Sequence, residues 1–221
     1  MDTIVSFFQQ GGIFMYLILA MGLFGLTITI ERIIVIMIKN KVDSLSLVNQ
    51  VVNHIKEGNI DSAKMLCDQS KAALPQIISA GLAQSTEGLV EVQDAIELKA
   101  MSVIPRLEKR TGYLSMIANV ATLVGLLGTI WGLITSFQAV AHADAAQKAT
   151  LLSSGISLAL NTTAFGLIVA IPCMLVFTFL YERTNELIDD INENTARVYQ
   201  FLARTFKSKN INEPKESTWE K

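Results

Sequence analysis

Charge is scarce in this sequence: Lys, Arg, Asp and Glu supply 17% of its 221 residues against 51% apolar ones, and the net charge is −2. A soluble domain carries about 25% charged residues, so the deficit places the chain among membrane proteins. No global field is left to draw in a polyanion and no block of like charge stands out, which argues against nucleic acid as a partner. Cysteine and histidine are rarer still, at two each. Cys67 falls in a charged helical stretch and Cys173 in an apolar run, so a disulfide, which needs Cα atoms about 6 Å apart, is not expected. His54 and His142 stand alone, with no second His or Cys at ligand spacing, and no metal site is expected. The phosphate-cradling G-x-x-x-x-G-K-S/T is missing, as is any Ser/His/Asp or Cys/His grouping. Neither ATP as a fuel nor an enzymatic reaction is indicated, and no cofactor is implied. The opening MDTIVSFFQQGG lacks the basic stretch of a cleaved signal peptide and is expected to be retained.

Asp, Glu, His, Lys and Arg disappear altogether from three long apolar runs, 13–30, 113–137 and 156–180. A hydrocarbon core of about 30 Å needs about 20 apolar helical residues, so the runs predict an all-α membrane protein with three spans. The first continues as ERIIVIMIK, which extends it to residue 38 and makes Glu31 and Arg32 its inner interface anchors. Lys39 and Lys41 follow the first span, Arg106, Lys109 and Arg110 precede the second, and Arg183 closes the third; the 138–155 connection holds only Lys148. Basic residues stay on the cytoplasmic side, with Arg110 and Arg183 as further anchors. The layout is therefore a periplasmic N-terminus (1–12), a first span (13–38), a cytoplasmic helical segment (39–112), a second span (113–137), a periplasmic hairpin (138–155) and a third span (156–181). A cytoplasmic helical tail (182–208) and a disordered C-terminus (209–221) complete it.

The cytoplasmic segment has helical periodicity, with Leu47, Val51, Val52 and Ile55 on one face and Ala63, Leu66 and Cys67 on another. Gly58-Asn59 reads as a helix stop, and Pro75 and Pro105 each as a start or a kink. In the tail, Leu187, Ile191, Val198 and Leu202 form an apolar stripe among acidic residues, so the third span is expected to continue as one long helix.

Small residues recur at helical spacing in the second span, at Gly125, Gly128 and Gly132, and in the third at Ala159, Gly166 and Ala170. In lipid, association depends on close packing and interhelical hydrogen bonds, so both stripes predict tight helix contacts. Interleaved with them are Thr122, Thr129, Thr162 and Thr163. At about 1.5 Å per residue, Thr129 and Thr163 both lie roughly 10–12 Å below the outer boundary and can share one polar layer. Thr122 is two turns deeper than Thr129 on nearly the same face, which allows a ladder of hydroxyls along a pore. The competing local reading is that each threonine bonds its own i−4 carbonyl. Asn161 can face a neighbour, the lumen or the outer interface. A protein that relays protons by itself through a membrane carries a buried Asp, Glu or His there. These spans have none, so a proton path through them needs a carboxylate from a partner.

The runs IANVATLVGLLGTIWGLITSF (117–137) and ALNTTAFGLIVAIP (159–172) resemble the two signature helices of the MotA/TolQ/ExbB proton-channel family. Their order, the three spans and the single large cytoplasmic segment are similar to the ExbB/TolQ branch, whereas MotA-type stators carry a fourth span. The resemblance implies a homopentamer of the bacterial inner membrane, its second and third helices lining a pore around a dimer of an ExbD/TolR-like single-span protein. An intramembrane Asp of that partner then faces pore threonines that correspond to Thr129 and Thr163. It also implies that proton passage does mechanical work on the periplasm or outer membrane, with a TonB/TolA-like protein as a further partner. Leu158 stands where many members carry a glutamate, and Thr122 where many have proline. Set against this are a passive oligomeric scaffold, a MotA-like stator relative, and a solute transporter, which the lack of broken-helix pairs and inverted repeats disfavours.

Overall fold

A computed structural model of the chain describes residues 12–40 and 42–212. Every regular element among them is helical: α1 (Gly12–Ile33, continued by a π-helical turn, Ile34–Lys39), α2 (Ser44–Lys56), α3 (Ile60–Asp68), α4 (Ala73–Ala83), α5 (Leu89–Glu108), α6 (Thr111–Ala141) and α7 (Ala145–Asn212). Three helical stretches, Gly12–Lys39, Leu89–Ala141 and Ala145–Lys207, are long and apolar enough to cross a membrane. The chain is an all-helical membrane protein. Only 22–33% of the most apolar window of each stretch is buried within the chain, so most of that surface is left for lipid or neighbouring helices.

Two compact units divide the chain, one made of Met1–Ile33 and Arg110–Tyr181, the other of Ile34–Lys109 and Glu182–Lys221. In the first, α1 and α6 pack together and α7 lies against both. Met15, Ile18, Ile28, Leu114, Ile117, Ala118 and Ala121 are buried there. Close approach of α1 to α7 depends on two glycines: a Cβ on Gly22 would come 3.3 Å from Val169, and one on Gly25 would come 3.1 Å from the Cys173 sulfur.

The second unit is a small bundle of α2 to α5 with the part of α7 from Glu182 onward. Its core holds Val48, Val51, Ile55, Ala63, Cys67, Ile77, Ile78, Leu82 and Val92 together with Ile191, Val198 and Leu202 of the long helix. Each fully buried Val, Leu or Ile stabilises the fold by about 1.5–3 kcal/mol. Local signals set the boundaries. Gly58 takes a left-handed φ of 76° that ends α2, and Asn59 caps α3 by accepting from the Ser62 N–H at 3.2 Å. Asp43 caps α2 in the same way through Ser46. Pro75 sits in the first turn of α4, where its missing N–H costs nothing, while Pro105 lies inside α5 near its end.

Two sequence expectations differ from this architecture. Residues 138–155 are helix up to Ala141 and again from Ala145, leaving 142–144 as the connection rather than an 18-residue hairpin. The segment is rich in Ala and Gln without Pro or Gly before position 155, so helix propensity carries both helices beyond the apolar runs. The 39–112 segment, read as helical with a stop at Gly58-Asn59, is four separate helices after the π turn, the first of them ending at that stop. Helix also continues to Asn212, into the stretch read as a disordered tail; residues 213–221, like the first eleven, lie outside the described ones.

Candidate functional site

The small residues of α6 and α7 let the two backbones touch. Gly125, Gly128, Gly132, Ala159, Gly166 and Ala170 are all buried. A Cβ on Gly125 would come 3.3 Å from the Thr162 carbonyl oxygen and the Thr163 Cα, and one on Gly132 would come 3.1 Å from the Ala159 methyl. At Gly166 the added carbon would lie 2.8 Å from the Ala121 carbonyl oxygen. Backbone atoms cannot give way there as the end of a flexible side chain does.

This close crossing brings two hydroxyls together. Thr163 Oγ1 donates across the interface to the Gly125 carbonyl at 2.9 Å, and Thr129 Oγ1 is hydrogen-bonded to Thr163 Oγ1. The Gly125 and Ala159 carbonyl oxygens also lie 3.2 and 3.4 Å from the Thr129 hydroxyl. A hydroxyl has one proton to give. One proton of the pair lies between the two hydroxyl oxygens and the other is given to a carbonyl, so each oxygen keeps at least one lone pair as an acceptor. Both residues are partly exposed on the surface of the chain. A neutral pair of this kind accepts a hydrogen bond from an incoming donor but takes up no proton at neutral pH.

Other candidates sit elsewhere. Thr122 is exposed and donates to the Ala118 carbonyl at 3.0 Å, the local i−4 bond. Thr162 is 1% exposed, bonds to Leu158 at 2.9 Å and packs beneath Gly128, so it belongs to the helix contact. Asn161 is half-buried on α7. Ser136 was not singled out by the sequence reading: it is 4% exposed and donates to the Leu151 carbonyl at 3.1 Å. The signal was present, because Thr122, Thr129 and Ser136 follow one another at seven-residue intervals on one face of α6.

At the other end of α6 the anchors converge. Arg110 Nη1 meets Glu31 Oε1 at 2.7 Å, and Arg32 Nη2 reaches the same oxygen at 3.1 Å. Arg110 precedes α6 in a left-handed conformation, φ 72°, that few residues with a Cβ adopt. Arg183 pairs instead with Glu186 at 2.6 Å, one turn along its own helix. Among the described residues no group of three or more His, Cys, Asp or Glu is placed to hold a metal ion.

A profile of the MotA/TolQ/ExbB proton channel family matches residues 69–193. The chain is 30% identical over 190 residues to a biopolymer transport protein ExbB homolog of Methanothermobacter thermautotrophicus, covering 86% of this chain and 67% of that protein. It is 37% identical over 98 residues to the Tol-Pal system protein TolQ of Haemophilus influenzae, and 28% identical over 109 residues to the biopolymer transport protein ExbB of Salmonella typhimurium. These two matches cover 43% and 49% of this chain and 42% and 44% of the respective relatives. Among solved structures, the C. jejuni MotAB structure contains a chain that superposes with a TM-score of 0.64 at 13% identity, over 92% of this chain and 84% of that one. At that identity the likeness is one of fold.

Proposed function

The chain belongs to the MotA/TolQ/ExbB proton channel family, and from that premise we propose that it is the channel-forming stator subunit of a motor driven by the proton-motive force across the bacterial inner membrane. The family is one of proton channels rather than enzymes. In this reading five copies form a ring with the N-termini periplasmic and the C-termini cytoplasmic, and α6 and α7 face the central pore. A dimer of an ExbD/TolR-like single-span protein occupies the pore. Its intramembrane Asp takes up a periplasmic proton and, once neutral, donates that proton as a hydrogen bond to the Thr129 oxygen. Thr122 forms a deeper rung of the same face. Flux through the ring turns one component against the other, and a TonB/TolA-like protein carries the work to the periplasm or outer membrane.

The observation that carries the proposal is the Thr129–Thr163 pair: two hydroxyls joined across a glycine crossing, in spans that hold no carboxylate. Burying an unpaired charge in hydrocarbon is costly, so a neutral housing is suited to a charge that comes and goes on a partner. A passive scaffold is the second reading, favoured by Thr122 and Thr162 each donating to its own i−4 carbonyl. Proteoliposomes holding the chain with its single-span partner separate the two. The channel reading expects partner-dependent proton flux, reduced at least about ten-fold by Thr129→Val or Thr163→Val. Unchanged flux in both variants, or none in the unaltered complex, supports the scaffold.

A further inference from the structure

In the second unit a recess of about 270 Å³ opens between α5 and α7. Its apolar surface comes chiefly from Ile77, Ile96 and Ile191, the first and last of them fully buried. Among the residues that line it, Glu97 alone is charged. A volume just under that of drug-sized pockets suits a short aliphatic ligand.

The polar groups of the recess form a chain that ends on that charge. Tyr199 donates its phenolic proton to Gln93 Oε1 at 3.2 Å, and Gln93 Nε2 donates to Glu97 Oε1 at 2.8 Å. The remaining lone pairs of the carboxylate, like those of the Tyr199 oxygen, are open to a further donor. The Asn192 amide and the second N–H of Gln93 can also donate, so hydrogen bonding alone does not exclude an anion. The Glu97 charge does.

Thr195, which also lines the recess, supplies an independent signal. Thr162, Thr178 and Thr205 of the same helix each donate to the carbonyl four residues earlier, at 2.9, 3.1 and 3.0 Å. Thr195 is 7% exposed and its hydroxyl makes no hydrogen bond at all. A buried hydroxyl without a partner is unfavourable, and the recess is the side from which a partner can be supplied.

We propose that this recess binds a small primary alkylammonium. The ammonium group sits against Glu97 and Tyr199, the alkyl stem covers the three isoleucines, and the Thr195 hydroxyl turns about χ1 to meet the ligand. An ammonium brings three N–H donors and no acceptor, which matches a carboxylate, a phenolic oxygen and a hydroxyl. Its charge balances Glu97, and its stem displaces water from apolar surface. The site stands apart from the α6–α7 crossing and does not depend on the channel reading.

The test is isothermal titration calorimetry of the full-length, detergent-solubilised chain with n-butylammonium chloride. Sodium butyrate and butan-1-ol, of the same chain length, carry the opposite charge and none. The proposal expects saturable binding of one n-butylammonium per chain and markedly weaker binding of the other two. Glu97→Gln should weaken the ammonium at least about ten-fold. Thr195→Val keeps the shape and should weaken it about three-fold or more, yet melt at or above the unaltered chain because it removes an unpaired hydroxyl. Glu108→Gln, exposed three turns further along α5 and outside the recess, should leave binding unchanged. No saturable ammonium binding, equal binding of butyrate or butan-1-ol, undiminished binding in Glu97→Gln or Thr195→Val, or an equal loss in Glu108→Gln overturns the proposal.

Discussion

Replacing Gly166 by alanine tests whether the α6–α7 crossing depends on backbone contact. The new Cβ would lie 2.8 Å from the Ala121 carbonyl oxygen and 3.2 Å from the Gly125 Cα. An ordinary C···O contact is about 3.3 Å, so the helices must part by about 0.5 Å. That motion would stretch the Thr163–Gly125 bond from 2.9 Å to about 3.4 Å, outside the range of a good hydroxyl hydrogen bond. Overpacking costs about 1–3 kcal/mol and the weakened bond about 0.5–1.5, while alanine recovers up to about 1 kcal/mol of helix propensity. The net loss is about 2 kcal/mol. Gly112→Ala is the matched control, because nothing lies within 4 Å of its Cβ, and there the propensity gain stands alone. A gap of about 2–3 kcal/mol between the two variants corresponds to about 4–12 °C in Tm, measured by thermal unfolding of the detergent-solubilised protein followed by circular dichroism. If Gly166→Ala melts at or above Gly112→Ala, the backbone crossing is not what holds these helices.

Three further outcomes follow from the same geometry. Thr163→Val keeps shape and removes both interhelical hydrogen bonds of its hydroxyl, so stability should fall by about 1–3 kcal/mol while partner-dependent flux collapses; undiminished flux through the folded complex would make the residue structural only. Arg110 combines a strained left-handed φ with a half-exposed ion pair to Glu31, a contact that solvent screens. Arg110→Gly, which loses the pair but relieves the strain, should therefore melt above Arg110→Ala, which loses the pair and keeps it; the reverse order refutes the strain. Burial pushes the Cys67 thiol up to about 12, with Asp68 adding to the effect, so at pH 8 roughly one molecule in 10⁴ carries the thiolate. Maleimide labelling of Cys67 should be negligible in the folded chain and rapid after denaturation. Because the folded state favours the neutral thiol, its stability contribution is complete below the unfolded thiol's pKa and is lost as pH climbs from there toward 12.

The spans were legible because hydrocarbon imposes a length and forbids charge, two constraints that composition displays directly. The apolar stripe at Ile191, Val198 and Leu202 was legible for a similar reason, as 3.6-residue periodicity and burial coincide there. Helix ends past the apolar runs were not. Hydropathy marks where lipid begins and says nothing about where backbone hydrogen bonding stops, so residues 138–141 and 145–155 read as a loop although their composition favours helix. Arg183 illustrates a second limit: a basic residue at a span end signals orientation, but its ion-pair partner, Glu186, is fixed by helix register.

For the hydroxyls, spacing gave position but not polarity. Depth counting puts Thr129 and Thr163 in one layer, yet whether two threonines bond each other or their own carbonyls turns on tenths of an ångström that the glycines opposite decide. Gly125 faces Thr163 and Gly128 faces Thr162, and the outcomes diverge: Thr163 reaches across to a carbonyl of the other helix, while its neighbour Thr162 turns back to Leu158 and is sealed in. Two adjacent residues of one type are thus sorted by the single step of 100° between them. The direction of each proton follows only after that sorting, and it decides the chemistry. The hydroxyls of Thr135 and Ser154 donate to carbonyls of their own helix, while those of Ser136 and Thr163 donate to carbonyls of the facing one.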